Sequence, residues 1–216
     1  MPAFKEAVEN GYGMELDVRL TEDNQVVVFH DDDLNRVCNI DKKINELPYR
    51  ELKEIKLFGT DKHMPLLIHV LEYVNGTAPL IIELKSCGNY KILCEKVCEQ
   101  LKNYAGMYCI ESFDARIVRW FRINRPHIIR GQLSAYLFNE RDTPLYKRLV
   151  VTFLLSNFLT KPNFIAFGFR ERSMIGFLIC RKVFKINTAA WTIRSEKELD
   201  KAGRLFDMFI FEHFLP

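Results

Sequence analysis

The sequence predicts an α/β fold, a TIM-type (β/α)₈ barrel whose first strand is missing. Short apolar runs alternate with longer amphipathic ones about every 25 residues, the signature of βα units around a mainly parallel sheet. The chain opens on a helix, not a strand. With "VVVFH" read as a hairpin arm, seven principal strands remain. A closed barrel needs eight and typically about 250 residues, against 216 here. An open doubly wound sheet is the alternative, but no Gly-rich phosphate loop follows any strand, and "GYG" at 11–13 precedes one.

In order, a helix is expected over 2–10, then the alternating strand "MELDVRL" (14–20) and the arm "VVVFH" (26–30). Helices follow at 47–56 and 66–74, the second ending near Gly76. The strand "PLIIELK" (79–85) leads to a helix over 88–103, and "GMYCIES" (106–112) to one over 113–122 that Ser112-Phe-Asp114 starts. Beyond these lie "HIIRGQL" (127–133), a helix over 143–159, "FIAFGF" (164–169) and a helix over 171–181. "KINTAAWTI" (185–193), a helix over 195–204 and "MFIFE" (208–212) complete the chain. The helix over 195–204 opens on the capping box Ser195-Glu-Lys-Glu198 and closes near Gly203.

The 48% hydrophobic content supports one core and one domain, residues 1–216. A net charge of +3, from 31 basic and 28 acidic residues, offers no concentrated basic face for nucleic acid. Six Cys show no CxxC spacing, and Cys87, Cys94 and Cys98 lack a nearby fourth ligand. Buried free thiols in a reducing, cytoplasmic compartment are the expectation. No signal peptide follows Met1. The longest apolar stretch, "LVVTFLLSNFL" (149–159), is too short for a transmembrane segment and reads as a buried or partly exposed helix.

Side chains alternate along a strand, so Glu15 and Asp17 share a face with Arg19, opposite Met14, Leu16, Val18 and Leu20. Glu83 and Lys85 repeat this arrangement. Adjacent barrel strands would bring three carboxylates and an ammonium to one end, where unpaired charge needs a counter-charge or a metal. Hard oxygen ligands suit Mg²⁺ or Ca²⁺. The competing reading is solvated or salt-bridged strand ends, such as Glu15–Arg19 and Glu83–Lys85. His30, followed by Asp31-Asp32-Asp33, is a candidate general acid or base or a surface residue. The Asp run equally suits a turn cap. Trp191 is either wall packing or a platform for a small apolar or glycerol-like moiety.

"FKEAVENGYGMELDVRLTEDNQVVVFHDDDLNRV" resembles the glycerophosphodiester phosphodiesterase family. So do "PLIIELK", "IESFD", "NTAAWTI" and the terminal "LFDMFIFEHFLP", in order along the whole chain. The resemblance implies a (β/α)₈ barrel that uses a divalent cation to hydrolyse glycerophosphodiesters to an alcohol and glycerol 3-phosphate. It implies metal ligation by Glu15, Asp17 and Glu83 and a catalytic role for His30. It also implies phosphate stabilisation by Lys85 and a glycerol-side position for Trp191.

Two departures stand out. Arg194 replaces an Asn after the Trp191 segment, and the C-terminal pattern is altered, with Asp207 kept and Glu212 near its last acidic position. Family members also begin with a strand ending His-Arg-Gly and a loop ending Pro-Glu-Asn-Thr, and this sequence starts at the helix that follows. The expectation is a chain without the second histidine, the phosphate-binding arginine and the loop glutamate, binding metal weakly and turning over poorly. Self-association through an unpaired barrel edge is a further expectation. Alternative functions are a non-catalytic barrel descendant and a phosphodiesterase for lysophospholipids or sphingolipids, the latter suggested by the Phe-rich segment 136–184.

Overall fold

The chain opens on α1 (Pro2–Glu9), where Pro2 takes a first-turn position that needs no N–H donor. β1 (Met14–Leu20) buries Met14, Leu16, Val18 and Leu20 and leaves Glu15, Asp17 and Arg19 half-buried on the opposite face. A turn with Asn24 at φ 58° returns the chain as β2 (Val26–Val28), antiparallel to β1 with Val18 opposite Val28. The expected hairpin arm is therefore present. The chain continues through α2 (Asn35–Cys38), α3 (Tyr49–Leu52) and α4 (Leu67–Val74) to β3 (Leu80–Leu84), which runs parallel to β1. α5 (Tyr90–Leu101) and β4 (Tyr108–Ser112) follow.

This computed structural model describes residues 1–140 and 143–216, and it divides into two units, Met1–Ile110 and Glu111–Pro216. In the first, the strand order is β2-β1-β3. Val27, Leu34, Ile44, Leu52 and Met64 form a buried cluster beneath the long connection between β2 and α4. Gly76, at φ 77°, ends α4 in a left-handed turn that a side chain would strain.

The second unit contains α6 (Ala115–Asn124), β5 (Arg130–Ser134), α7 (Leu145–Thr152), α8 (Asn157–Thr160) and β6 (Phe164–Gly168). α9 (Ile175–Lys182), β7 (Asn187–Ile193), α10 (Glu196–Ala202) and β8 (Met208–Phe211) complete it. Strands β5, β6, β7 and β8 are neighbours in that order, and all three pairings are parallel. Every residue of β5 and β6 is buried, as parallel strands covered on both faces require. The core centres on Phe177, which lies 5.3 Å from Phe167 and stacks on Phe206 at 4.8 Å between ring centroids. Asp114 caps α6 by accepting from the Arg116 N–H at 3.0 Å, and Ser195 caps α10 through the Glu198 N–H.

Four elements differ from expectation, among them the helix over 171–181, which begins only at Ile175. The helix over 143–159 is broken at Leu154, which adopts φ 57°, and Ser134 Oγ donates to the nearby Val151 carbonyl at 2.6 Å. The helix over 47–56 contracts to α3. The strand expected from 127 begins at Arg130, since the preceding residues turn and the Ile128 N–H donates to the Arg125 carbonyl.

Candidate active site

β1 and β3 are adjacent and parallel, with Asp17 directly opposite Glu83. Glu15 lies two residues earlier on the same face as Asp17, so the pleat delivers all three carboxylates to one place. One oxygen from each lies within 4.8 Å of the others. Lys85 follows the end of β3, where its N–H donates to the Val18 carbonyl at 3.1 Å. Its Nζ stands 2.7 Å from Asp17 Oδ1 and 2.9 Å from Glu83 Oε1.

One ammonium serves three carboxylates, and the electrostatics show the deficit. Burial, then the charges of Asp17 and Glu83, push Glu15 up to about 8. Burial pushes Glu83 up to about 7 against the opposing pull of Lys85. Burial alone would lower Lys85, but Glu83 and Asp17 outweigh it and raise it. Glu15 Oε1 is buried with no hydrogen-bond partner among the described residues. A hard, oxygen-liganded dication fits this set, because it would satisfy that oxygen and supply the missing positive charge.

His30 follows β2, and the Phe29 N–H donates to the Asp17 carbonyl at 2.9 Å, tying this segment to β1. The imidazole is largely exposed, with Nδ1 2.7 Å from Asp31 Oδ1. Arg36 grips that carboxylate with two bonds, Nε at 2.7 Å and Nη2 at 3.0 Å, and these bonds hold Asp31 below the usual carboxylate range. Arg19 donates from Nε and Nη2 to the His30 carbonyl, at 3.1 and 2.9 Å, and from Nη1 to Asp32 at 3.0 Å. Arg19, Asp32 and Lys85 line one small cleft. Sequence reasoning put Arg19 on the carboxylate face and offered it as a salt-bridge partner of Glu15, whereas its ion pair is with Asp32. The period-2 pattern in "ELDVR" was the available signal, but its grip on the His30 backbone depends on the hairpin.

Trp191 lies on β7, in register with Gly168 of β6. Its ring meets Phe113 edge-on at 5.7 Å and 89°, and its buried Nε1 has no partner among the described residues. The two C-terminal acids have local partners. Asp207 Oδ2 accepts from the Thr188 N–H and hydroxyl at 2.8 and 2.9 Å, and Glu212 accepts from Arg194 Nε at 2.7 Å. None of the six cysteines is in a disulfide; Cys94 and Cys180 are buried and the other four only partly so, against the expectation of burial.

Comparison with known proteins places these residues in a family context. Residues 1–208 match the model of the glycerophosphoryl diester phosphodiesterase family. A glycerophosphodiester phosphodiesterase of Bacillus altitudinis is 33% identical over 158 residues, 66% of this chain and 63% of that protein. The human lysophospholipase D GDPD1 is 37% identical over 117 residues, 48% of this chain and 36% of its own length. The chain thus spans less than two thirds of either relative. An Oleispira antarctica phosphodiesterase, solved with the product sn-glycerol-3-phosphate, superposes with a TM-score of 0.77 at 22% identity, covering 97% of this chain and 85% of that one. The α/β fold is of the TIM-barrel class. With 208 of its 216 residues matched by the family model, the chain belongs to the glycerophosphoryl diester phosphodiesterase family.

Proposed function

We propose that the protein hydrolyses glycerophosphodiesters to an alcohol and glycerol 3-phosphate, using Mg²⁺ or Ca²⁺ held by Glu15, Asp17 and Glu83. The observation that carries this reading is the convergence of three carboxylates within 4.8 Å beside a single ammonium. When bound, the cation would neutralise charge on the non-bridging phosphate oxygens. Lys85, fixed at the strand end by Asp17 and Glu83, adds a second positive charge for the phosphate. His30 has its Nδ1 engaged by Asp31, which leaves Nε2 to exchange a proton with the nucleophile or the departing alkoxide. Trp191, whose indole Nε1 has no partner among the described residues, is the residue assigned to the glycerol moiety. Cytoplasmic residence belongs to the same proposal and rests on the free thiols.

A lysophospholipid substrate is the second reading. It is supported by the similarity to the human lysophospholipase D and by the Phe-rich segment 136–184. The test is release of glycerol 3-phosphate from glycerophosphocholine and of choline from a long-chain lysophosphatidylcholine, each with Mg²⁺, Ca²⁺ or EDTA. The expected result is slow, cation-dependent hydrolysis that EDTA and Glu83→Gln abolish and that His30→Ala lowers by about 10²- to 10⁴-fold. Preference for the lysolipid would favour the second reading. Hydrolysis indifferent to EDTA, or no hydrolysis of either compound by the folded protein, would overturn the proposal.

A further inference from the structure

We propose that the outer surface of α7, α8 and α9 docks on a bilayer bearing anionic phospholipid. On α9 and the residue after it, Ile175, Ile179 and Val183 recur every fourth position and are 61%, 43% and 67% exposed, while Phe177 and Cys180 on the other side are buried. Leu155 before α8, Phe158 within it and Phe184 after α9 are 50%, 71% and 67% exposed. Two contacts pack together the elements that carry these residues. Asn157 Nδ2 lies 3.5 Å from Cys180 Sγ. A side chain at Gly176 would also meet the Phe153 backbone within 3.0 Å, so α9 packs directly against the segment joining α7 to α8. Apolar groups exposed on elements packed together gain free energy once they leave water.

Charge identifies the partner. Residues 143–187 carry eight basic side chains and one acidic one, Glu171, a net +7 within a chain whose total is +3. Lys147, Lys161, Lys182 and Lys185 are exposed and make no ion pair among the described residues. Elsewhere lysines do find acids, as in Lys56–Asp61 and Lys96–Glu99. Aliphatic lysine stems can lie along the apolar stripe while their ammonium groups sit at headgroup height, where an anionic leaflet attracts them. A second copy of this chain would present the same positive charge and be repelled. No helix among the described residues is long and apolar enough to cross a membrane, so the contact proposed is peripheral.

The test is cosedimentation of the whole chain with phosphatidylcholine vesicles, with and without phosphatidylserine. Binding should be at least about tenfold stronger to the anionic vesicles at low salt and fall as NaCl rises. A Lys182→Glu/Lys185→Glu variant should lose about tenfold of the phosphatidylserine-dependent part. A Phe158→Ser/Val183→Ser/Phe184→Ser variant should bind both vesicle types more weakly. Neither set touches the carboxylate cluster, so hydrolysis of glycerophosphocholine should be unchanged, and failure here leaves the catalytic reading standing. Equal binding to both vesicle types, or variants that fold and bind like the parent, would overturn the proposal. So would a dimer that these substitutions abolish without any vesicle binding.

Discussion

Glu15 and Glu83 titrate above their ordinary range, to about 8 and about 7, with burial the largest cause for both. A carboxyl whose folded value exceeds its unfolded one contributes stability that is complete below the unfolded value and lost as pH rises through the folded one. The metal-free protein should therefore lose thermal stability progressively between about pH 5 and pH 8. Glu15→Gln should flatten that slope, because the neutral amide has no proton to lose. Melting temperatures in EDTA across this range check the point, and a stability that climbs with pH would refute it. Asp31 supports a separate expectation. Its two bonds from Arg36 fix the carboxylate that engages His30 Nδ1, so Asp31→Asn should reduce kcat by at least about tenfold with little change in KM. A change confined to KM would mean that the contact positions substrate, not the imidazole.

At the scale of elements, the strands were legible because a two-residue alternation is written into the side chains. "MELDVRL" and "PLIIELK" sort their acids onto one face without help from the rest of the chain. The register that sets Asp17 opposite Glu83 was not legible, since it depends on which strands become neighbours. The grips of Arg36 on Asp31 and of Arg19 on the His30 carbonyl were hidden for the same reason. The helix over 143–159 misled because its local pattern is helical. The break comes at Leu154, whose φ is 57°, just after Val151, whose carbonyl also accepts a hydroxyl from β5, 17 residues earlier. Close packing of that broken segment against α9 gives another prediction. A Cβ at Gly176 would lie 2.9 Å from the Phe153 carbonyl oxygen and 3.0 Å from two further backbone atoms, which cannot swing aside as a side chain could. Gly176→Ala should cost about 1–3 kcal/mol through overpacking, read as a lower midpoint of chemical denaturation. An unchanged midpoint would mean that α9 can slide at no cost.

Across the whole molecule, the chemistry is unevenly distributed. The three carboxylates all lie on β1 and β3, within Met1–Ile110, whereas Glu111–Pro216 contributes no group to that cluster among the described residues. A cation that binds the folded state alone stabilises it by mass action, about 2.7 kcal/mol at a concentration a hundred times its Kd. Mg²⁺ or Ca²⁺ should accordingly raise the melting temperature, and EDTA should reverse the rise. The gain should also be local, because a dication tethers β1 to β3 directly and relieves the charge that opposes their pairing. Amide hydrogen exchange with and without cation locates it. Added protection should be greatest over residues 14–20 and 80–85 and weaker over 187–193, where Trp191 lies. Equal protection of both segments would show that the two units open together, so that ligand energy bound in one is shared by the whole fold. Protection confined to 187–193 would move the cation away from Glu15, Asp17 and Glu83 and remove the basis for the proposed chemistry.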